Sequence, residues 1–462
     1  MIRTSIFELF KVGPGPSSSH TVGPMIAANE FREQIIAYTH REHVIDDLEI
    51  KVELFGSLAS TGIGHGTHRA ILSGLFGEQP KSVDIDQLNL FFEEGEKAYS
   101  IPFDLFDINF SEKNISFNYG INPYKHPNTV KFSLFVKGNV MLESIFYSIG
   151  GGFIEEDGVP EVVNLSKQPK HHYTNLDGFL TLIDETGFDA INLILQNEIA
   201  VTGKSGTDIH KEIDHIIDVM NIAVERGINT DGILPGGLHV SRRAKGLFEI
   251  ALEKEANLDF MNAHFSKLNA YALAVSEENA AGQMVVTAPT NGAAGVFPAA
   301  IAYLKRDRKI KPEKLRNGFM LGALIGFIVK ENASISGAEL GCQAEVGTAT
   351  AMAAALFSYC FDSSMAQICS AAEIAMEHSL GMTCDPINGL VQVPCIERNA
   401  NGVVKAYNAY LLASGRESKP LISFDQVVEV MRQTGLDLSE KYKETATGGL
   451  ATHYGWGNSP GS

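Results

Sequence analysis

No run of about 18 consecutive apolar residues occurs, so no segment reads as membrane-spanning. The opening MIRTSIFELFKVGPGPSSSH has no apolar stretch of signal-peptide length, so export is not expected. Basic residues are in deficit: 37 Lys and Arg against 55 Asp and Glu give a net charge of -18, which argues against nucleic acid or an anionic membrane as partner. Neither G-x-G-x-x-G nor G-K-[ST] is present, which removes the dinucleotide and P-loop readings. No lysine lies in a motif that points to pyridoxal phosphate. Cysteine is scarce, with five in 462 residues. An odd count in a chain without an export signal implies reduced thiols in a cytoplasm.

Three of those cysteines lie beside Gly or Pro: Cys342 in AELGCQAEVGTA, Cys384 in HSLGMTCDPINGL and Cys395 in LVQVPCIERN. They read as loop or element-end positions, not core. Cys360 and Cys369 sit in Ala-rich helical stretches and read as small buried hydrophobes. Three loop thiols without a fourth suggest a metal or cluster with one open position, the mark of a catalytic site. Their spacing matches neither a zinc ribbon nor a ferredoxin run, so three unrelated thiols stand as the alternative.

The chain changes character near residue 160. Before it, DLEIKVELFGS, INFSEKNISFNYG, TVKFSLFVKG and VMLESIFYSIGGGF alternate as half-buried strands. The expectation is an α+β domain with an antiparallel sheet over residues 1–156. A polar segment with Pro160 and Pro169, 157–175, reads as a linker. From 176 to 462, Ala- and Gly-rich helical patterns predict an all-α domain with centrally buried helices.

Four segments carry chemistry. In GPGPSSSHTVGP, Ser17, Ser18, Ser19, His20 and Thr21 stand between Gly-Pro pairs ahead of a helix, a frame for donors to a carboxylate. In STGIGHGTHRA, His65 lies between glycines that let a ligand approach, and imidazole is the usual base near neutral pH. His68 reads as structural. In VVTAPTNGAAGV, Thr290, Asn291 and Gly292 precede a helix start that favours an anion. Arg242 and Arg243 in LPGGLHVSRRA suit a carboxylate ligand or a buried acid. N-caps or solvated loops are the plain alternatives for each.

Together, SSSHTVGPM, GHGT, LPGGL-x-V-x-RRA, TAPTNGAAGV-x-PA and the three loop cysteines resemble the bacterial single-chain iron-sulfur L-serine dehydratases from about Phe7 to Gly449. The resemblance implies a [4Fe-4S] cluster on Cys342, Cys384 and Cys395, with one iron left for substrate and no pyridoxal phosphate. On that chemistry Ser17, Ser18, Ser19, His20, Thr21, Thr290, Asn291 and Gly292 are expected to hold L-serine; the glycines around His65 favour it as base, with His20, whose neighbours look like carboxylate donors, as runner-up. The resemblance also implies an N-terminal domain similar to the allosteric substrate-binding domain of certain phosphoglycerate dehydrogenases, a cytoplasmic homodimer, and a place in serine catabolism and gluconeogenesis. One departure stands out: members of this family can end in a cysteine that reaches the cluster, whereas this chain ends HYGWGNSPGS. The rival readings are an elimination on threonine or cysteine, and an amino-acid sensor with a structural zinc.

Overall fold

Alternation in LEIKVELFG sends Ile50, Val52 and Leu54 to one face, and the computed structural model forms strand Leu48–Gly56 with all three buried. The structure describes residues 1–43, 46–92, 97–159, 168–417 and 420–454. Leu48–Gly56 is the second strand of a five-stranded sheet, ordered Ile115–Asn118, Leu48–Gly56, Asn128–Val136, Asn139–Ser148 and Ile154–Glu156. Val52 faces Phe132 across the antiparallel central pair. The sheet is mixed, not wholly antiparallel: Ile115–Asn118 runs parallel to Leu48–Gly56. The chain between them passes through helices Ser57–Thr61, Thr67–Leu75 and Ile85–Leu90 and the Tyr99–Pro102/Asp107–Phe110 hairpin, long enough to return it in the same direction. Helix Gly23–Glu42 lies on this sheet, with Phe31 stacked on Phe132 at 5.1 Å.

The second half is a helical assembly whose centre is Ala-rich. Helix Thr348–Cys360 buries every residue but Tyr359, because alanines allow neighbouring helices to approach on all sides. Pro312–Asn332, Met365–Glu377 and Cys395–Ser414 pack around it, and Phe260–Ala280 packs on Cys395–Ser414. This half is not helical throughout, since Met284–Val286 is a strand.

The partner of that strand comes from the start of the chain. Val12–Pro14 pairs antiparallel with Met284–Val286. Ahead of it, Ile2, Ile6, Leu9 and Phe10 are buried in the helical core, where Phe10 meets Phe319 at 4.3 Å. The first fourteen residues therefore belong physically to the helical half, and they deliver Ser17–Thr21 to the seam between the two. Of the expected linker, 160–167 lies outside the described residues, and Tyr173 is buried against Phe179.

Candidate active site

The Gly-Pro segment is not a solvated loop. Ser17, Ser18, Ser19, His20 and Thr21 are all buried in one tight turn, Ser18–Val22, capped by the Ser17 hydroxyl accepting from His20 N–H at 3.1 Å. Helical-half side chains clamp it. Asn279 donates to the Pro16 carbonyl at 2.8 Å, and Asn291 donates to Asn279 at 2.8 Å and to the Pro14 carbonyl at 3.3 Å. A Cβ on Gly15 would stand 2.0 Å from the Asn279 carbonyl oxygen, so only glycine lets the two backbones come this close.

His20 and His65, both fully buried, lie with ring centroids 4.4 Å apart. Their protons follow from their partners. Ser57 donates its only hydroxyl proton to the Glu444 carbonyl at 2.6 Å, so it accepts from His20 Nε2 at 3.1 Å. His20 Nδ1 then accepts from Ser19 Oγ at 2.9 Å, and both nitrogens are engaged. His65 Nδ1 meets the Thr61 carbonyl at 2.9 Å and must donate to it. That leaves His65 Nε2 as a lone pair, buried and without a hydrogen-bond partner. Burial lowers both imidazoles, His65 to about 4, so both are neutral near pH 7. His68 is also buried, packed on the Phe92 ring at 5.6 Å.

The three thiols stand at element ends, as their glycine and proline neighbours suggest, but in the interior. Cys342 precedes the turn Gln343–Gly347, Cys395 opens its helix, and Cys384 bridges to Lys443; exposures are 3%, 8% and 5%. Cys342 is held as the thiolate, at about 6, first by the hydrogen bond from Cys384, then by the Arg398 charge acting against burial. Cys384 keeps the shared proton and is pushed up, and burial pushes Cys395 up as well. Arg398 feels all three sulfurs and donates to the Thr383 carbonyl at 2.6 Å and to Asp385 at 3.3 Å. Cys360 and Cys369, by contrast, are driven up to about 12 chiefly by burial, which the Lys314 charge offsets only in part at Cys360.

Two buried carboxyls that sequence reasoning missed tie these groups together. Glu444 Oε1 lies 3.6 Å from His20 Nδ1 and 3.8 Å from His65 Nε2, while the Glu444 backbone N–H donates to the Cys384 carbonyl at 2.7 Å. Burial and the Cys342 charge raise this carboxyl to about 8. Both Glu345 oxygens lie 3.1 Å from the place a Cβ on Gly292 would take, so Glu345 looks onto the Thr290–Gly292 turn. Burial and Glu444 raise it well above the usual range. Thr290, Asn291 and Gly292 are fixed from the other side by Asn399, which donates to the Gly292 carbonyl at 2.8 Å and accepts from Gly295 N–H at 2.9 Å.

Arg242 fulfils the buried-acid reading: with Arg226 it pairs with Glu278, which is 1% exposed. Glu277 caps the backbone N–H groups of Arg243 and Ala244, and Arg243 reaches Glu397 at 2.7 Å. This cluster holds helix Ala244–Ala256 in place, apart from the buried chamber of His20, His65, Glu345, Glu444 and the three thiols. At the other end, helix Leu450–His453 is tied by its Leu450 N–H to Asp385 at 2.8 Å, and the tail residues Trp456 and Asn458 lie outside the described residues.

Cysteine thiolates are the usual holders of iron-sulfur clusters, each on a different iron, whereas a structural zinc draws four ligands to one point. Among the described residues no three His, Cys, Asp or Glu side chains converge on a single ion position. Three buried thiols that share the Arg398 charge are the donor type such a cluster takes.

Residues 5–159 match the family model of the serine dehydratase beta chain and 185–451 that of the alpha chain. The chain is 42% identical over 460 residues to L-serine dehydratase 2 of Escherichia coli K12, with 97% of this chain and 98% of the relative covered. It is 43% identical over 460 residues to an L-serine dehydratase of Haemophilus influenzae, with the same coverage, and 41% identical over 463 residues to one of Streptomyces coelicolor, also covering 97% and 98%. No helix among the described residues is long and apolar enough to cross a membrane. With both family regions in one polypeptide and relatives matched almost end to end, the chain belongs to the single-chain bacterial L-serine dehydratases and is an enzyme of the lyase class.

Proposed function

We propose that this chain dehydrates L-serine to aminoacrylate, which hydrolyses to pyruvate and ammonia. The observation that carries the reading is the buried Glu444, which joins the two halves: its Oε1 lies 3.8 Å from the free lone pair of His65, beside the Ser17–Thr21 turn, and its backbone N–H donates to the Cys384 carbonyl at 2.7 Å. Cys342, Cys384 and Cys395 would hold a [4Fe-4S] cluster, which supplies a Lewis acid for the departing hydroxyl. The protein's own part is positioning and proton transfer. Hydroxyl and backbone donors of the Ser17–Thr21 and Thr290–Gly292 turns bind the substrate carboxylate. His65 Nε2, with Nδ1 committed to Thr61, takes the α-proton. Burial of the whole set excludes bulk water from the reacting carbon. The reading includes a cytoplasmic homodimer.

The test is anaerobic reconstitution with iron and sulfide, followed by pyruvate assay. Serine turnover is expected to exceed the rates on threonine and cysteine, to fall in air, to return with iron and thiol, and to resist low hydroxylamine. An air-stable enzyme carrying pyridoxal phosphate refutes the mechanism, and zinc as the sole metal supports the sensor instead.

A further inference from the structure

A zwitterion needs an acceptor as well as donors. The charge nearest the thiols is the Arg398 guanidinium, and the unpartnered Asn291 Oδ1 offers a cation only a neutral acceptor, since both Asn291 N–H groups are spent on Asn279 and Pro14. An α-ammonium placed among these alone would be buried without a counter-charge, which is strongly unfavourable. The ammonium also shares its carbon with the proton that leaves, so its acceptor must lie close to the base. Glu444 meets both conditions. Its Oε1 is 3.8 Å from His65 Nε2, and its Oε2 is buried with no hydrogen-bond partner. The residue is 5% exposed, so solvent does not account for that oxygen. Its backbone is fixed on both sides, the N–H donating to the Cys384 carbonyl at 2.7 Å and the carbonyl accepting from Ser57 at 2.6 Å. The side chain is therefore held at the junction of the base and the thiols. Glu345, the other buried carboxyl, looks toward the Thr290–Gly292 turn, where the carboxylate is expected, and is the less suitable partner for a cation.

We infer that the Glu444 carboxyl accepts the substrate's α-ammonium and so makes the site select amino acids over the corresponding hydroxy acids. The inference rests on serine as the substrate. It assigns a binding role, distinct from relay of a proton to His65.

The experiment uses reconstituted full-length enzyme, wild type and Glu444→Gln, with serine as substrate and 3-hydroxypropanoate, which is serine without its amino group, as competitive inhibitor. Cluster absorbance and iron content are measured on each preparation. The ammonium's charge favours the ionised Glu444 over the protonated form that burial and Cys342 favour in the empty site, and losing such a charge-assisted partner typically changes binding by about 10- to 100-fold. Glu444→Gln is expected to raise KM for serine by that factor while the inhibition constant of 3-hydroxypropanoate stays within about twofold and the cluster absorbance is unchanged. A fall in kcat with KM unchanged assigns Glu444 to proton relay and overturns the inference. Equal weakening of serine and 3-hydroxypropanoate, or loss of the cluster, shows a structural role and overturns it too. Wild-type protein without serine turnover fails the functional proposal itself, an outcome separate from all three.

Discussion

Replacing His65 with glutamine removes the one imidazole in the chamber whose lone pair is unspent. Glutamine keeps a group able to donate to the Thr61 carbonyl, so the loop has little reason to move. General-base catalysis typically contributes about 10²–10⁴-fold, and kcat is expected to fall by that much with the cluster absorbance intact. The pH dependence gives a second, independent reading. Burial lowers His65 from 6.5 to about 4, so the base remains competent well below neutral, and kcat/KM loses its His65 limb only as pH falls through about 4. The same shift enters stability. Below pH 6.5 the unfolded chain takes up a proton that native His65 refuses, so stability falls as pH drops from about 6.5 to about 4. At 1.36 kcal/mol per unit, the penalty reaches about 3 kcal/mol at the lower end and is zero above neutrality. Glutamine carries no such penalty. The assays are anaerobic pyruvate formation across pH, with absorbance followed in parallel, and urea unfolding at pH 7 and about 4.5. A near-normal kcat for His65→Gln together with a collapsed kcat for His20→Gln reverses the two roles. An acid limb near 6.5 that vanishes in His65→Gln shows a solvated imidazole and refutes the burial argument.

Cys342→Ala, Cys384→Ala and Cys395→Ala are each expected to abolish iron binding and activity, whereas Cys360→Ala and Cys369→Ala keep both; iron analysis decides, and full activity in any of the first three overturns the ligand assignment. Gly15→Ala forces a Cβ against the Asn279 carbonyl, so the Ser17–Thr21 turn must shift, and serine KM is expected to rise by at least tenfold in steady-state assays, a misplacement effect. Glu278→Gln removes the charge partner of Arg242 and Arg226 and is expected to cost about 3–5 kcal/mol in chemical denaturation.

Punctuation made much of the site legible. The Gly-Pro frame marks Ser17–Thr21, the flanking glycines mark His65, and Gly or Pro beside each loop thiol separates Cys342, Cys384 and Cys395 from Cys360. What those signals do not carry is partnership across the chain. Glu444 sits in KYKETATGG, which reads as a polar surface stretch, yet it is buried because Cys384 and Ser57 hold its backbone from both halves. Arg398 and Asn399 look like ordinary members of an amphipathic helix, and only tertiary packing turns one to the thiols and the other to the Thr290–Gly292 turn. The same applies to the sheet. Alternation identified the strands, but the direction of Ile115–Asn118 depends on how far the chain travels before it returns.

The opening arm has a consequence for dissection of the molecule. Because Ile2, Ile6, Leu9 and Phe10 are core residues of the helical half, a cut at 157–175 would not yield two self-sufficient pieces. The front fragment would carry an exposed apolar hook, and the back fragment would keep the slot that receives it, with Met284–Val286 as an unpaired edge. Such fragments are suited to complementation: co-expressed, they can dock through the hook and rebuild the chamber from two polypeptides, whereas either one produced by itself is prone to aggregate.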